Sequence, residues 1–480
     1  MMTEDKFHKI ILYIKDLIKG TKFNGKTYVV GGAVRDLLMN KEIKDIDIVV
    51  ELPNGGIEFA NWMEENGYTH GSVVTYPTYG TAMFRLNEYP EVEIECVQTR
   101  KEQYKDKNSR NPETEYGTLY EDAMRRDLTI NSLYLCISTN QIVDCCGGQN
   151  DIKEHRIRVT STPEIVYNDD SLRILRCIRF FSRFHAENKD WHIDEDTLKG
   201  MCNKVDRLSI ITKERIADEL NKMLMCNDPV CAMRLLVEIG AMKYVIPELV
   251  QTIDMQQNKY HFGTVWEHTL KVLETVSSRP YWGASSLELR MAALLHDIGK
   301  PHVKSVDDKG GVHFYGHELA GADIAEIILR RLKYSNHFIE RVKFLIENHM
   351  RTKQWGDTCE HMKDKTLRKL QYQCGYARFF ELMTLIDADN KAHAVEYCLP
   401  NQVYNICKKT NEMVENREDM FDYELPINGD DVMLIKGIKP GRDVKDCLDY
   451  AMKLAFNNPK ITKTELLKHI KGYKLKKYDY

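Results

Sequence analysis

Two carboxylates stand one residue apart in Asp45-Ile46-Asp47, where a β-branched run begins. Side chains alternate along a strand with period two, so both would face one side and could share a metal ion. The pair alone means little: with 72 acidic residues in 480, about eleven such pairs arise by chance. The preceding segment, Val29-Val30-Gly31-Gly32-Ala33-Val34-Arg35-Asp36, carries more weight. It reads as strand, glycine turn and helix start, which exposes backbone N–H groups at a positive helix end suited to a triphosphate, with Arg35 adding a charge-assisted contact. Glu93-Ile94-Glu95 supplies a third acid on a following strand, Glu95 preferred. Asp45, Asp47 and Glu95 then form a candidate site for two magnesium ions. Such a site lowers the pKa of an attacking hydroxyl and neutralises a leaving pyrophosphate, the chemistry of nucleotidyl transfer.

Two further groups have chemical potential. Asp170, Arg173, Arg176, Arg179 and Arg183 recur at spacings of three or four, one face of a helix. Arginines without lysine on that face suit planar, directional recognition better than solvation. Between Thr264 and His393 lies an ordered set, His268, His296-Asp297, His317, His349 and Asp389. About two His-acid dipeptides are expected by chance and two occur, so the context decides: Ala292 to Leu295 is an apolar helix end and Gly299-Lys300-Pro301 a stop. Imidazole with carboxylate suits a divalent cation that activates water against a phosphoester.

These residues need elements to position them. Thr27–Val30, Ile46–Val50, Thr81–Leu86, Val92–Val97, Ser132–Ile137 and Ile142–Asp144 read as strands, alternating with helical patterns such as Ile57–Asn66. After Gly147-Gly148 amphipathic helices dominate, with breaks near Pro247, Asp307–Gly311, Leu399-Pro400 and Gly437 to Gly441. The expected fold class is α+β, a mixed-sheet head followed by an all-α remainder. A composition of 43% hydrophobic and 29% charged residues without a long apolar run excludes a membrane span, a disordered chain and a fibre. The net charge of −4 leaves nucleic-acid contact to local patches such as Leu434–Tyr480, with twelve Lys/Arg against five Asp/Glu. Thirteen scattered cysteines without a CxxC pair, and an acidic start without an apolar stretch, point to the cytoplasm.

The segment from Gly31 to Val50 resembles the first signature of the class II tRNA nucleotidyltransferases, the CCA-adding enzymes and bacterial poly(A) polymerases. Arg125-Arg126-Asp127-Leu128-Thr129-Ile130-Asn131-Ser132-Leu133 resembles that family's RRDFTINAL signature, with Leu128 and Ser132 as mild departures. The resemblance implies that Arg126 contacts triphosphate, that Asp127 and Asn131 organise the nucleotide, and that Asp144 to Gly148 is a hinge. Asp169-Asp170-Ser171-Leu172-Arg173 resembles the EDxxR base template, with Asp169 where Glu is usual. Cytosine and adenine both place an amino donor beside a ring-nitrogen acceptor, so one Asp and one Arg satisfy both. Uracil and guanine would leave these groups unpaired at about 1–3 kcal/mol each. Lys213-Glu214-Arg215-Ile216 resembles a motif that braces the template helix.

The string around His296-Asp297 resembles the HD phosphohydrolase superfamily. That resemblance implies His268, His296, Asp297 and Asp389 as ligands of one ion (Mn2+, Mg2+, Ni2+ or Fe2+), with His317 and His349 at the extra positions of two-metal versions. Asp387 competes with Asp389, and His302, His313, His337, His361 and His393 read as surface or packing residues. The expected division is a head at 1–150, a neck at 151–260, an HD domain at 261–400 and a basic RNA-binding tail at 401–480. Expected partners are tRNA, CTP and ATP. Tyr104, Arg110 and the loop from Arg100 to Gly117 would serve the switch from C to A. No extended basic helix of the poly(A) polymerase kind follows the template, so CCA addition leads over A-only addition. A chain that is mainly a hydrolase of RNA ends is the rival from another class.

Overall fold

The computed structural model describes residues 2–103, 113–258, 260, 263–278 and 285–475. Two compact units divide the chain at Pro247 and Glu248.

The first unit begins with α1 (Glu4–Ile18), which Thr3 caps by accepting the Lys6 N–H. Its Phe7, Ile10, Ile11, Ile14 and Ile18 are buried at helical spacing. Then come β1 (Thr27–Val30), α2 (Gly32–Leu38), β2 (Ile46–Val50), α3 (Gly55–Glu65), β3 (Val74–Tyr76), β4 (Thr81–Leu86) and β5 (Tyr89–Gln98). A polar hairpin, β6 (Arg100–Gln103) and β7 (Glu113–Tyr116), leads to α4 (Leu119–Met124), β8 (Leu133–Cys136) and β9 (Ile142–Asp144). Seven strands form one sheet in the order β3-β4-β5-β2-β1-β8-β9. Only the β2–β5 pairing is parallel, so the sheet is mixed as expected. Sequence pattern missed α1, β3 and the hairpin; β3 is wholly exposed and the hairpin strands, Arg-Lys-Glu-Gln and Glu-Thr-Glu-Tyr, carry no apolar alternation.

At the expected hinge, both carboxylate oxygens of Asp144 accept backbone N–H groups, from Cys146, Gly147, Gly148 and Gln149. Helices α5 (Gly148–Lys153), α6 (Pro163–Asp169), α7 (Leu172–Glu187), α8 (Glu195–Lys204), α9 (Lys213–Leu224), α10 (Pro229–Glu238) and α11 (Met242–Val245) complete the unit.

The second unit is helical: α12 (Val265–Ser278), α13 (Leu287–Leu295), α14 (Lys300–Val303), α15 (His317–Arg331), α16 (Asn336–Asn348), α17 (Asp364–Cys374), α18 (Tyr376–Ala392) and α19 (Gln402–Glu415). Its last helices, α20 (Gly429–Lys436), α21 (Arg442–Asn457) and α22 (Lys463–Gly472), enclose a small core of Val432, Val444, Cys447, Ala451, Leu466 and Ile470. No helix among the described residues is long and apolar enough to cross a membrane.

Candidate active sites

In the first unit β1 runs antiparallel to β2 with Val30 opposite Asp47, and β5 runs parallel to β2 with Glu95 opposite Asp47. Directly paired residues face the same side of a sheet. Asp47 and Glu95 therefore share a face, and β1 delivers Gly31 beside them. Gly31 turns with φ of 75°, a conformation that costs glycine nothing because it lacks Cβ. Asp45, Asp47, Gly31, Gly32, Arg126, Asp127 and Asn131 line one cavity of about 560 Å³ with Arg35, Arg176 and Arg179. Glu95 is outside that lining, while Glu93 is held by Arg85 at 3.1 Å. The Asp47 carboxyl, though its side chain is exposed at the cavity edge, is pushed up to about 6, first by desolvation from the atoms around it and then by the charges of Glu95 and Asp45, against the pull of Arg126. Carboxylates crowded in this way fit a divalent cation.

Two hydrogen-bonded chains fix the cationic wall. Arg126 donates through Nε and Nη2 to Asp122 Oδ2 at 3.0 and 2.9 Å, and the Tyr134 hydroxyl donates to the same oxygen at 2.8 Å. Arg126 Nη1 is left directed at the glycine turn, 3.9 Å from where a Cβ on Gly31 would lie. Burial opposes the Asp122 charge, but Arg126 and Arg125 outweigh it and hold the carboxyl well below its usual range. In the second chain Arg35 donates to Asp36 at 2.9 Å and to Asn131 Oδ1 at 2.6 Å. Asn131 donates to Asp127 at 3.1 Å, and Arg176 Nε donates to Asp127 Oδ2 at 2.7 Å. Against burial, Arg176 and Asn131 lower the Asp127 carboxyl to about 2. Glu219, buried on α9, adds ion pairs with Arg179 at 2.7 Å and Arg176 at 3.9 Å. Arg35, buried among its partners Asp36 and Asn131, still lines the cavity.

Asp170 and Arg173 do not line the cavity. Asp170 accepts from Arg215 at 2.6 Å and from the Leu172 N–H at 3.1 Å. Arg173 is buried and donates to the Arg125 carbonyl oxygen at 2.6 Å. Tyr104 and Arg110 lie outside the described residues.

The second unit brings all six residues of the histidine set together in two buried triads, His268, His296 and Asp389, and Asp297, His317 and His349. His296, His317 and His349 each hold Nδ1 at 2.6–2.8 Å from the carbonyl oxygen three residues earlier. A carbonyl only accepts, so Nδ1 carries the proton and the Nε2 lone pair points inward, the arrangement a metal ligand needs. His268 lies 3.0 Å from Asp389 and 3.4 Å from Asp297. Burial, against the pull of Asp389, lowers His268 to about 4, and burial with the charges of His317 and His296 lowers His349 to about 3. Asp387 instead pairs with Lys391 at 2.6 Å. Gly299 permits the approach of α15, since a Cβ there would lie 2.3 Å from the His317 carbonyl oxygen. The donor set fits a divalent ion.

A cavity of about 500 Å³ opens on Asp297, His317 and Asp389. It contains two residues that sequence spacing did not single out, Lys300, 2.7 Å from Asp297, and Lys353, 2.9 Å from Asp389. His313 and His393, expected as surface or packing residues, also line it; His393 Nδ1 donates to the Asp389 carbonyl oxygen at 2.6 Å. Asp122 and Glu219 were missed as well. Their signals were the spacing of four from Asp122 to Arg126 and a carboxylate set in the apolar stripe of Ile216, Leu220 and Met223.

Residues 27–158 match the poly A polymerase head domain, residues 190–252 a probable RNA and SrmB-binding site of polymerase A, and residues 265–383 the HD domain. Among solved structures, the Bacillus stearothermophilus CCA-adding enzyme in complex with CTP is 19% identical with a TM-score of 0.68, covering 98% of this chain and 97% of that one. The Thermotoga maritima CCA-adding enzyme complexed with tRNA is 20% identical with a TM-score of 0.59, covering 97% and 94%; both likenesses are of fold. A multifunctional CCA protein of Neisseria meningitidis is 31% identical over 339 residues, 69% of this chain and 74% of its own length. With the mixed-sheet head and the histidine centre on one chain, that shared length shows that the chain belongs to the family of the multifunctional CCA proteins.

Proposed function

We propose that this protein adds C, C and A to the 3′ end of tRNA from CTP and ATP, without a nucleic-acid template, and carries a second, phosphohydrolase centre. The observation that carries the reading is the register that sets Asp47 beside both Glu95 and the Gly31 turn. Asp45, Asp47 and Glu95 would hold magnesium, which supplies acidification of the 3′-hydroxyl and charge neutralisation at the phosphates. The 3′-oxygen attacks the α-phosphorus, the bond to the bridging oxygen breaks, and pyrophosphate leaves. Arg126 offers Nη1 to the triphosphate while Asp122 holds its other nitrogens. Asp127, fixed as an anion by Arg176, positions Asn131 toward the nucleotide. Asp170 and Arg173 would read the base after exchanging their bonds to Arg215 and Arg125.

In the second centre, Asp297, Asp389 and the four histidines would hold a divalent ion, Mn2+, Mg2+, Ni2+ or Fe2+, that activates water against a phosphoester of an RNA end or nucleotide. Lys300 and Lys353, which line the cavity of this centre, would meet the phosphate after exchanging their bonds to Asp297 and Asp389. Residues 1–150 serve as head, 151–260 as neck, 261–400 as HD domain and 401–480 as RNA-binding tail. Thirteen free thiols fit the cytoplasm. The test incubates tRNA lacking its 3′ end with magnesium and labelled CTP or ATP. Asp45→Ala should abolish labelling and His296→Ala should spare it. Incorporation of A alone by the wild type would indicate an A-adding enzyme instead.

A further inference from the structure

The transferase cavity is lined by seven cationic side chains, and five are already engaged. Arg35 is paired with Asp36, Arg126 with Asp122, Arg176 with Asp127, and Arg179 and Lys222 with Glu219. Lys44 and Arg183 remain. Among the described residues, neither the Lys44 ammonium nor the Arg183 guanidinium forms an ion pair or hydrogen bond; Arg183 only lies over the Phe184 ring at 5.5 Å. Lys44 is exposed next to Asp45, at the entry to β2, and Arg183 is half-buried one turn beyond Arg179 on α7. They therefore approach the same space from two different elements. Arg183 also adds its positive charge to the field around the buried Arg35, which Asp36 and Asp127 offset. An ammonium and a guanidinium fork lining one cavity are both usual partners for phosphate oxygens.

We infer that Lys44 and Arg183 form the subsite for the β- and γ-phosphates of the incoming nucleotide, and so for the pyrophosphate released. The inference rests on the transferase reading above. Unlike Arg126 and Asp127, these residues have no second task in holding the fold, so their removal subtracts anion affinity alone.

The test measures binding to the full-length protein by calorimetry, with magnesium pyrophosphate, CMP and tRNA lacking its 3′ end as separate probes. Lys44→Ala and Arg183→Ala should each weaken pyrophosphate binding about tenfold and leave CMP within about twofold, the scale of one charge-assisted contact. Arg183→Lys should recover part of the loss. Unchanged pyrophosphate affinity in both variants overturns the inference, as does an equal loss for CMP, which would mean a collapsed cavity. Loss for tRNA with pyrophosphate binding intact also overturns it and assigns the pair to the RNA backbone. Binding is read without turnover, so a wild type that adds no nucleotide defeats the transferase reading while the subsite is still decided.

Discussion

In the transferase cavity the acids come from strands and stand at a solvent-facing edge, whereas in the histidine centre the ligands come mostly from helix ends and are buried. Asp45 and Asp47 have no cation of the protein within ion-pair distance among the described residues; Asp297 and Asp389 face Lys300 and Lys353 at 2.7 and 2.9 Å. Precision in the first site resides in the arginine wall, fixed by buried Asp122, Asp127 and Glu219. In the second it resides in the ligands themselves, with the rings of His296, His317 and His349 each held by the carbonyl oxygen three residues earlier. A cavity that must admit a new triphosphate at every addition gains from an open acid edge and a rigid anion-binding wall. A hydrolytic centre gains from a preformed cage.

If that contrast holds, the most damaging change to the first site short of its acids is at Glu219. Removing it leaves Arg179, and the outer side of Arg176, without their buried anion. Breaking a buried pair in this way costs about 3–5 kcal/mol. Glu219→Ala should lower the urea midpoint of the first unit accordingly and weaken CTP binding, with Glu219→Gln losing less. A variant as stable as wild type would show that the wall does not depend on this carboxylate.

The corresponding stress on the second site is Gly299→Ala. The new methyl would meet the His317 carbonyl oxygen and the Gly321 nitrogen, 2.3 and 2.6 Å away, both backbone atoms. Helix α15 must then move and take His317 with it. Overpacking of this kind costs about 1–3 kcal/mol, and misplacing a ligand costs about 10- to 100-fold in metal affinity. Metal content after dialysis should fall while nucleotide addition is unchanged. Wild-type metal affinity in this variant would contradict a cage set by helix approach.

How much of this was legible in sequence follows from the range of each interaction. Asp45, Asp47, Gly31 and the His296-Asp297 string were readable because their signals span few residues. Glu95 was readable as a third acid for the Asp pair, but its register opposite Asp47 was not, since β2 and β5 are joined through α3, β3 and β4 and their register depends on packing across the sheet. Glu219 and Lys353 act on partners from other elements, which their own segments do not name, and Lys300 lies only three residues from Asp297 but a lone Lys has no distinctive spacing. Asp170 and Arg173 show the reverse case: their helical spacing was visible, but nothing in it foretold that Arg215 and the Arg125 carbonyl oxygen engage them.

The smallest effect concerns pH. Asp47 titrates at about 6 in the folded chain, against about 3.9 unfolded. Between these values the unfolded chain releases a proton that the folded chain keeps, so metal-free protein loses stability as pH rises from about 4 to about 6 and carries a constant penalty above. Solvent at the cavity edge screens the charge, leaving about 1 kcal/mol, or about 2–4 °C in Tm for a unit of this size. Asp47→Asn has no such proton to lose. In the presence of a chelator it should melt level with wild type near pH 4 and about 2–4 °C higher at pH 7.5, and magnesium should narrow the gap by stabilising only the wild type. The histidine centre differs in its groups: its two carboxyls lie well below their usual range and His268 and His349 stay neutral to about 4 and 3, while Asp297, against burial, raises His296 above its ordinary value. Acidification from pH 7 to 5 should therefore weaken magnesium binding at the cavity through Asp47, whereas in the cage a proton competes at His296 and at neither carboxylate; a magnesium affinity unchanged between pH 7 and 5 would remove the distinction between an open acid edge and a sealed one.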